Sequence, residues 1–128
     1  MGRLRKALVI EDTSFVQNSF YFYFYELGWD KPTIVSGGEE ALRILQEGAD
    51  AFDVVILDQR LPGISGVKTL AAARETVRNM PPVVMITGIE KAKGELEERG
   101  LSVDAFLLKN KFSKETLEEL LARVLDKD

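Results

Sequence analysis

Four short apolar runs, each closed by a residue that carries chemistry, constrain this chain more than any other feature. Ala7 to Ile10 leads into Glu11 and Asp12, Val54 to Leu57 into Asp58, Val83 to Ile86 into Thr87, and Phe106 to Leu108 into Lys109. Short β-branched and aliphatic runs that alternate with longer stretches of helical period specify βαβ units and a parallel sheet. In an open parallel sheet, the residues just past the carboxyl ends of the strands line the crevice where ligands bind. Groups far apart in sequence are thereby predicted to meet: three carboxylates, a hydroxyl and an ammonium. Three negative charges repel one another unless a cation joins them. Hard oxygen ligands left open to water suit a magnesium ion that keeps some of its water. The edge reads as built for phosphoryl chemistry.

The remaining pattern completes an α/β domain. Strands are expected near Lys6 to Ile10, Thr33 to Val35, Val54 to Leu57, Val83 to Ile86 and Ala105 to Leu108, with five helices between and after them. Val67, Leu70 and Ala73 give the third helix a buried stripe; Leu117, Leu120, Leu121 and Val124 do the same for the fifth, which Ser113 is placed to cap. Pro81 and Pro82 mark a stop before the fourth strand, and Gly28 and Gly100 punctuate helix ends. At 128 residues the chain reads as one domain, residues 1–128, with no linker, repeat or low-complexity tract.

Composition excludes several classes. The net charge of −4, with both signs interspersed, offers no basic stripe to track a nucleic-acid backbone. Zero cysteines exclude thiol chemistry and disulfides, and a cytoplasmic location is expected. No apolar stretch approaches the roughly 20 residues of a spanning helix, so no membrane partner is expected. Zero histidines mean that the chain cannot itself be a phosphohistidine donor.

The acidic pair in VIEDTS, the aspartate in VVILDQRLPG, the hydroxyl in VVMITG and the lysine in AFLLK resemble, in order and spacing, the bacterial two-component response-regulator receiver domain. The likeness runs from about Arg5 to Leu125. It extends to Gly38, Glu39, Glu40, Ala41 and Leu42 at the opening of the second helix, and to Leu61, Pro62 and Gly66 after the phosphoacceptor position. The resemblance implies a doubly wound, flavodoxin-like sheet of strand order 2-1-3-4-5. It implies that Asp58 accepts a phosphoryl group, and that Glu11, Asp12, Asp58 and the backbone carbonyl of Arg60 hold Mg2+ or Mn2+. Thr87 would hydrogen-bond a phosphoryl oxygen, and Lys109 would neutralise charge on the transferring group. Phe106 matches the family's switch aromatic, which turns inward as the hydroxyl moves. A sensor histidine kinase or a histidine phosphotransfer protein would be the donor, and a downstream protein the target. The chain is expected to be a phosphoacceptor that assists its own phosphorylation and dephosphorylation, not a dedicated enzyme.

Each of these residues also has an ordinary structural use. Asp58 could simply open a turn, and Asp12 could cap the first helix, as could Thr13 or Ser14. Thr87 could be a strand-end threonine and Lys109 a solvated charge. The chain also departs from the family pattern: Asn110 stands where a proline in a cis peptide normally follows the lysine. A cis bond before a non-proline residue costs about 2.5–4 kcal/mol, so this loop is trans or strained; Lys111 is an alternative, but Lys109 is preferred because it keeps the register with Phe106. Gln59, Arg60, Gly88 and Ile89 stand where, in the family, phosphate lifetime is tuned.

Two helices stand out. Phe20 to Tyr25 is an unbroken aromatic run inside the first helix; Val16, Phe20, Tyr23, Phe24 and Leu27 share one face and are read as core, while Phe15, Tyr21, Phe22 and Tyr25 point elsewhere and suggest a partner surface. In receivers the first helix helps dock the phosphodonor's helical bundle. The fourth helix, between Glu90 and Gly100, has only Ala92 and Leu96 as clear apolar anchors and carries Gly94, so it is expected to be mobile. The competing reading is a pseudo-receiver, an interaction scaffold on the same fold that works without phosphorylation. The missing proline and the aromatic helix favour it, and the intact acidic triad opposes it. A flavodoxin-like cofactor binder would need a phosphate-cradling loop where Glu11 and Asp12 stand, and their charge would repel that phosphate.

Overall fold

The computed structural model describes residues 2–125. Five strands, β1 (Ala7–Ile10), β2 (Thr33–Val35), β3 (Val54–Leu57), β4 (Val83–Thr87) and β5 (Ala105–Leu108), alternate with five helices, α1 (Ser14–Glu26), α2 (Gly38–Gly48), α3 (Gly66–Thr76), α4 (Ala92–Glu98) and α5 (Lys114–Leu125). The sheet is parallel throughout, in the order β2-β1-β3-β4-β5, which is the doubly wound arrangement expected.

The central strands read as continuous apolar runs because both sheet faces are covered. Side chains alternate between the two faces at period two. Leu8, Ile10, Val55, Leu57, Val83 and Met85 enter one core with residues of α2, α3 and α4, while Ala7, Val9, Val54, Ile56, Val84 and Ile86 enter the other with Phe20, Phe24, Leu117, Leu120, Leu121 and Val124 of α1 and α5. The buried stripes predicted for α3 and α5 are all in place.

The aromatic run of α1 sorts as its spacing requires. Phe20 and Phe24 are buried, with Val16, Tyr23 and Leu27 packed partly against them. Two rings outside the run complete this layer: Phe112 stands 4.8 Å from Phe20 and 5.5 Å from Tyr23, and Trp29 stands 5.0 Å from Phe24, centroid to centroid.

Helix ends follow the expected punctuation in most places. Gly28 and Gly100 adopt left-handed backbone (φ 81° and 67°) just past α1 and α4. Ser113 caps α5 reciprocally: its Oγ accepts from the Thr116 N–H at 3.1 Å, while Thr116 Oγ1 accepts from the Ser113 N–H at 2.9 Å. This is a capping box with threonine in the place of the usual acid or amide. At α1 the outcome differs from expectation. Thr13 is the N-cap residue, yet its side chain makes no capping bond; its N–H instead donates to Glu11 Oε2 at 3.1 Å. Among the described residues no peptide bond is cis, so the Lys109 to Asn110 bond is trans, and Lys109–Lys111 form a short 3-10 turn.

Candidate functional site: an acidic cluster closed by a lysine

Strand order reverses between β1 and β3, and such a reversal opens a crevice at the carboxyl ends of the two strands. Ile10 pairs with Leu57 at the last step of the β1–β3 ladder, so the residues that follow, Glu11 and Asp58, emerge side by side. Asp12 comes next in the chain. One oxygen from each of Glu11, Asp12 and Asp58 lies within 4.8 Å of the others. Glu11 and Asp58 are almost wholly covered, whereas Asp12 is exposed, so the cluster has a protein-lined floor and a side open to water.

Lys109 closes the cluster from β5. Its Nζ lies 2.8 Å from Asp58 Oδ2 and 3.0 Å from Glu11 Oε1. The trans 3-10 turn thus delivers Lys109, not the exposed Lys111, into the site without a proline. The charges respond to this crowding. Burial pushes the Glu11 carboxyl above its ordinary value, and the Asp58 charge adds to the rise; the Thr13 N–H and Lys109 oppose it without cancelling it. For Lys109, burial alone would lower the ammonium's pKa, but hydrogen bonds and charge from Asp58 and Glu11 outweigh it and raise the value. Gln17 steadies the floor, its Nε2 donating to the Glu11 backbone carbonyl at 2.6 Å.

Thr87 ends β4 at the same edge and is fully buried, its hydroxyl accepting from the Ile89 N–H at 3.2 Å. Phe106 is half-buried against the α2–α3–α4 core, and it borders a cavity of about 320 Å3 that Leu96, Leu101 and Val103 also line. Arg60 is exposed in the loop after Asp58. That loop folds back tightly: the Gly66 N–H donates to the Gln59 carbonyl at 2.9 Å, and a Cβ on Gly66 would collide with the Asp58 carbonyl. Only glycine admits this close approach.

Gln59 is the residue whose role the sequence did not disclose. Its Oε1 accepts from the Val67 N–H at 2.7 Å and its Nε2 donates to Glu95 Oε1 at 3.1 Å, so it touches α3 and α4 at once. No local pattern carries that signal, because Gln59 and Glu95 are 36 positions apart.

Fold and site together define a class: an α/β domain with an acidic, lysine-closed cluster at its topological switch point. The chain belongs to the response regulator receiver domain family, which it matches over residues 7–122. It is 28% identical over 129 aligned positions to chemotaxis protein CheY-3 of Vibrio cholerae, a match covering 99% of this chain and 96% of that one. Among solved structures, a CheY-like response regulator receiver domain protein from Methanospirillum hungatei superposes with a TM-score of 0.82 at 21% identity, covering 96% of this chain and 94% of that one. The receiver domain of sensor histidine kinase PA1611 from Pseudomonas aeruginosa superposes with a TM-score of 0.80 at 24% identity, covering 96% and 98%; that structure has magnesium coordinated in its active-site cleft. At these identities the two structures establish a shared fold. The chain is thus a response-regulator receiver domain, a module of two-component signalling.

Proposed function

We propose that residues 1–128 act as one receiver domain in which Asp58 accepts a phosphoryl group from a phosphohistidine on a sensor histidine kinase or a histidine phosphotransfer protein. The observation that carries this reading is the Lys109 ammonium bonded to both Asp58 and Glu11, with Asp12 alongside. In the transfer, an Asp58 carboxylate oxygen attacks phosphorus, the P–N bond breaks, and its electron pair stays on the donor imidazole. An acyl phosphate results.

Glu11, Asp12, Asp58 and the backbone carbonyl of Arg60 would hold Mg2+ or Mn2+. Three clustered carboxylates, one of them facing water and, among the described residues, one lysine in contact with them, fit a small hard cation that retains water. When bound, such a cation neutralises charge on the phosphoryl oxygens. Lys109 stabilises the same charge from the protein side, a fixed donor that need not reorganise as the transfer proceeds. The Thr87 hydroxyl would leave the Ile89 N–H to engage the phosphoryl group, and Phe106 would move into the space vacated. The role is that of a cytoplasmic phosphoacceptor that assists its own modification and acts on a downstream protein target. Among the described residues no helix is long and apolar enough to cross a membrane.

Phe15, Phe22 and Tyr25 are 79%, 58% and 81% exposed, and at spacings of seven and three they form one stripe along α1, beginning beside the acidic cluster. We read this stripe as the surface that meets the phosphodonor. Tyr21 belongs to it less, because the Lys31 ammonium lies 5.6 Å from its ring centroid and covers it. Polar replacements of Tyr21, Phe22 and Tyr25 that changed neither partner affinity nor oligomeric state would remove this role.

Incubation with magnesium and a small-molecule phosphodonor, followed by intact mass spectrometry, tests the central claim. A magnesium-dependent phosphoryl adduct on the native chain, absent from Asp58→Ala, is expected. No adduct together with no magnesium binding would favour the pseudo-receiver, against which the complete acidic cluster and its lysine argue.

A further inference from the structure

We propose that the Gln59 side chain is a strap that ties α4 to the phosphoacceptor loop, and that it is released when Asp58 is phosphorylated. The existence of the strap is independent of the phosphoacceptor reading; its use as a relay rests on that reading.

Gln59 supplies two of the partners that the start of α3 requires. Helix starts leave N–H groups without intrahelical acceptors. Here the Gly66 N–H goes to the Gln59 carbonyl, the Val67 N–H to Gln59 Oε1, and the Lys68 N–H to Ser65 Oγ. With its oxygen committed to Val67, the amide has one choice of direction for its nitrogen, and Nε2 meets Glu95 Oε1. The assignment of oxygen and nitrogen is chemically forced: the backbone N–H needs an acceptor and the carboxylate needs a donor.

What the strap holds is otherwise weakly held. Helix α4 is seven residues long, has no side-chain cap, buries only Ala92 and Leu96, and contains Gly94. Glu95 is additionally paired with Arg99 at 3.6 Å, but that contact lies along α4 and its end and anchors the helix to nothing else. Gln59 Nε2 to Glu95 is therefore a polar tie from α4 to the active-site loop, made to a charged acceptor and so stronger than a neutral bond.

The same residue senses Asp58. The Gln59 N–H donates to Asp58 Oδ1 at 2.7 Å, while Lys109 holds Oδ2. Converting the carboxylate to an acyl phosphate removes its charge and moves negative charge outward onto the phosphoryl oxygens. The acceptor of the Gln59 N–H then changes from a charged oxygen to a neutral one, and Lys109 is drawn toward the phosphoryl group. The peptide between Asp58 and Gln59 loses its charge-assisted anchor, and the side chain that starts from Gln59 loses its alignment with Glu95. Gln59 acts as a positioning residue, linking the state of Asp58 to the freedom of α4 through one amide.

Hydrogen exchange of the full chain, read separately for α3, α4 and α5, tests both parts. In unmodified protein, Gln59→Leu and Glu95→Ala should each speed α4 exchange about tenfold or more, the scale of one hydrogen bond to a charged group. The double variant should go no further than either single one, because both remove the same contact. Glu95→Gln keeps an acceptor oxygen but not its charge and should fall between the native and Glu95→Ala rates, and α5 should not respond. Glu95→Ala leaves the α3 cap intact, so it reads the strap even if Gln59→Leu perturbs α3. Unchanged α4 exchange in Glu95→Ala, or additive single effects, would overturn the strap. After magnesium and phosphodonor treatment, with the adduct verified by mass, native α4 exchange should rise toward that of Gln59→Leu, and Gln59→Leu itself should rise little. An adduct without that rise would overturn the relay alone. Absence of an adduct on the native chain would defeat the phosphoacceptor reading and the relay together, while exchange in the unmodified protein still decides the strap.

Discussion

Helices α4 and α5 lie on opposite faces of the sheet beside the same edge strand, β5, yet they are held in opposite ways. α5 runs for twelve residues, buries Leu117, Leu120, Leu121 and Val124 in the core it shares with α1, and begins with a reciprocal Ser113–Thr116 cap. α4 runs for seven, buries two residues, has no side-chain cap, and carries a glycine at its third position. The difference is instructive because β5 delivers Lys109 to the site and Phe106 to the α4 side. One flank of the strand is a fixed support and the other is a part that can move at small cost. That division suits a two-state device whose populations a local change of charge can shift.

Truncating the buried leucines should expose the contrast most strongly. Leu117→Ala is expected to cost about 3–5 kcal/mol in urea unfolding and Leu96→Ala nearer about 2, because a short, weakly held helix can settle into the space left behind. Equal losses would mean that α4 is as tightly packed as α5. Removing the cap comes next: Ser113→Ala should destabilise the protein by about 1 kcal/mol and speed exchange at the start of α5 without touching α4. Gly94→Ala should act in the other direction. A methyl group there meets no atom within 4 Å, so it should stabilise α4 by about 1 kcal/mol, slow its exchange, and narrow the expected gap between a fast-exchanging α4 and a slow-exchanging α5. Exchange in α4 that is already as slow as in α5 would erase the comparison.

The smallest effect, a dependence on pH, arises at the site that the two helices flank. The Glu11 carboxyl lies above its ordinary 4.5 in the folded protein, so between 4.5 and its raised value the folded state binds more protons than the unfolded one. Stability from this group therefore falls as pH rises through that window, and Glu11→Gln should flatten the slope in urea midpoints measured without metal. Lys109 behaves conversely at the alkaline end. Its stabilising charge is present below 10.5 and is lost as pH rises through its raised value, a limb that Lys109→Met should remove. Slopes unchanged in both variants would mean that the cluster's charges do not communicate.

Much of the site was legible because its residues follow apolar runs directly. In a parallel sheet, the position after a strand is a position at the crevice, so Glu11, Asp12, Asp58, Thr87 and Lys109 could be placed together from order alone. The fold was legible for a related reason: strands covered on both faces leave continuous apolar runs, and helices covered on one face leave stripes. The first-helix aromatics could be sorted by spacing, but their layer was closed by Phe112 and Trp29, which lie outside the run. The absent side-chain cap on α1 was not legible, because Glu11 takes the Thr13 N–H and nothing in the triplet Asp12, Thr13, Ser14 announces that competition.

By itself, the sequence determined which chemical groups this protein possesses and which edge of the sheet they occupy, because strand period and helix period are local properties of the chain. Tertiary structure alone decided how those groups face one another. It bridged Glu11 and Asp58 through one ammonium and joined Gln59 to Glu95. Such contacts depend on where a trans turn points a side chain and on how closely Gly66 lets a loop return. These are distances between segments, and no local pattern of residues encodes them.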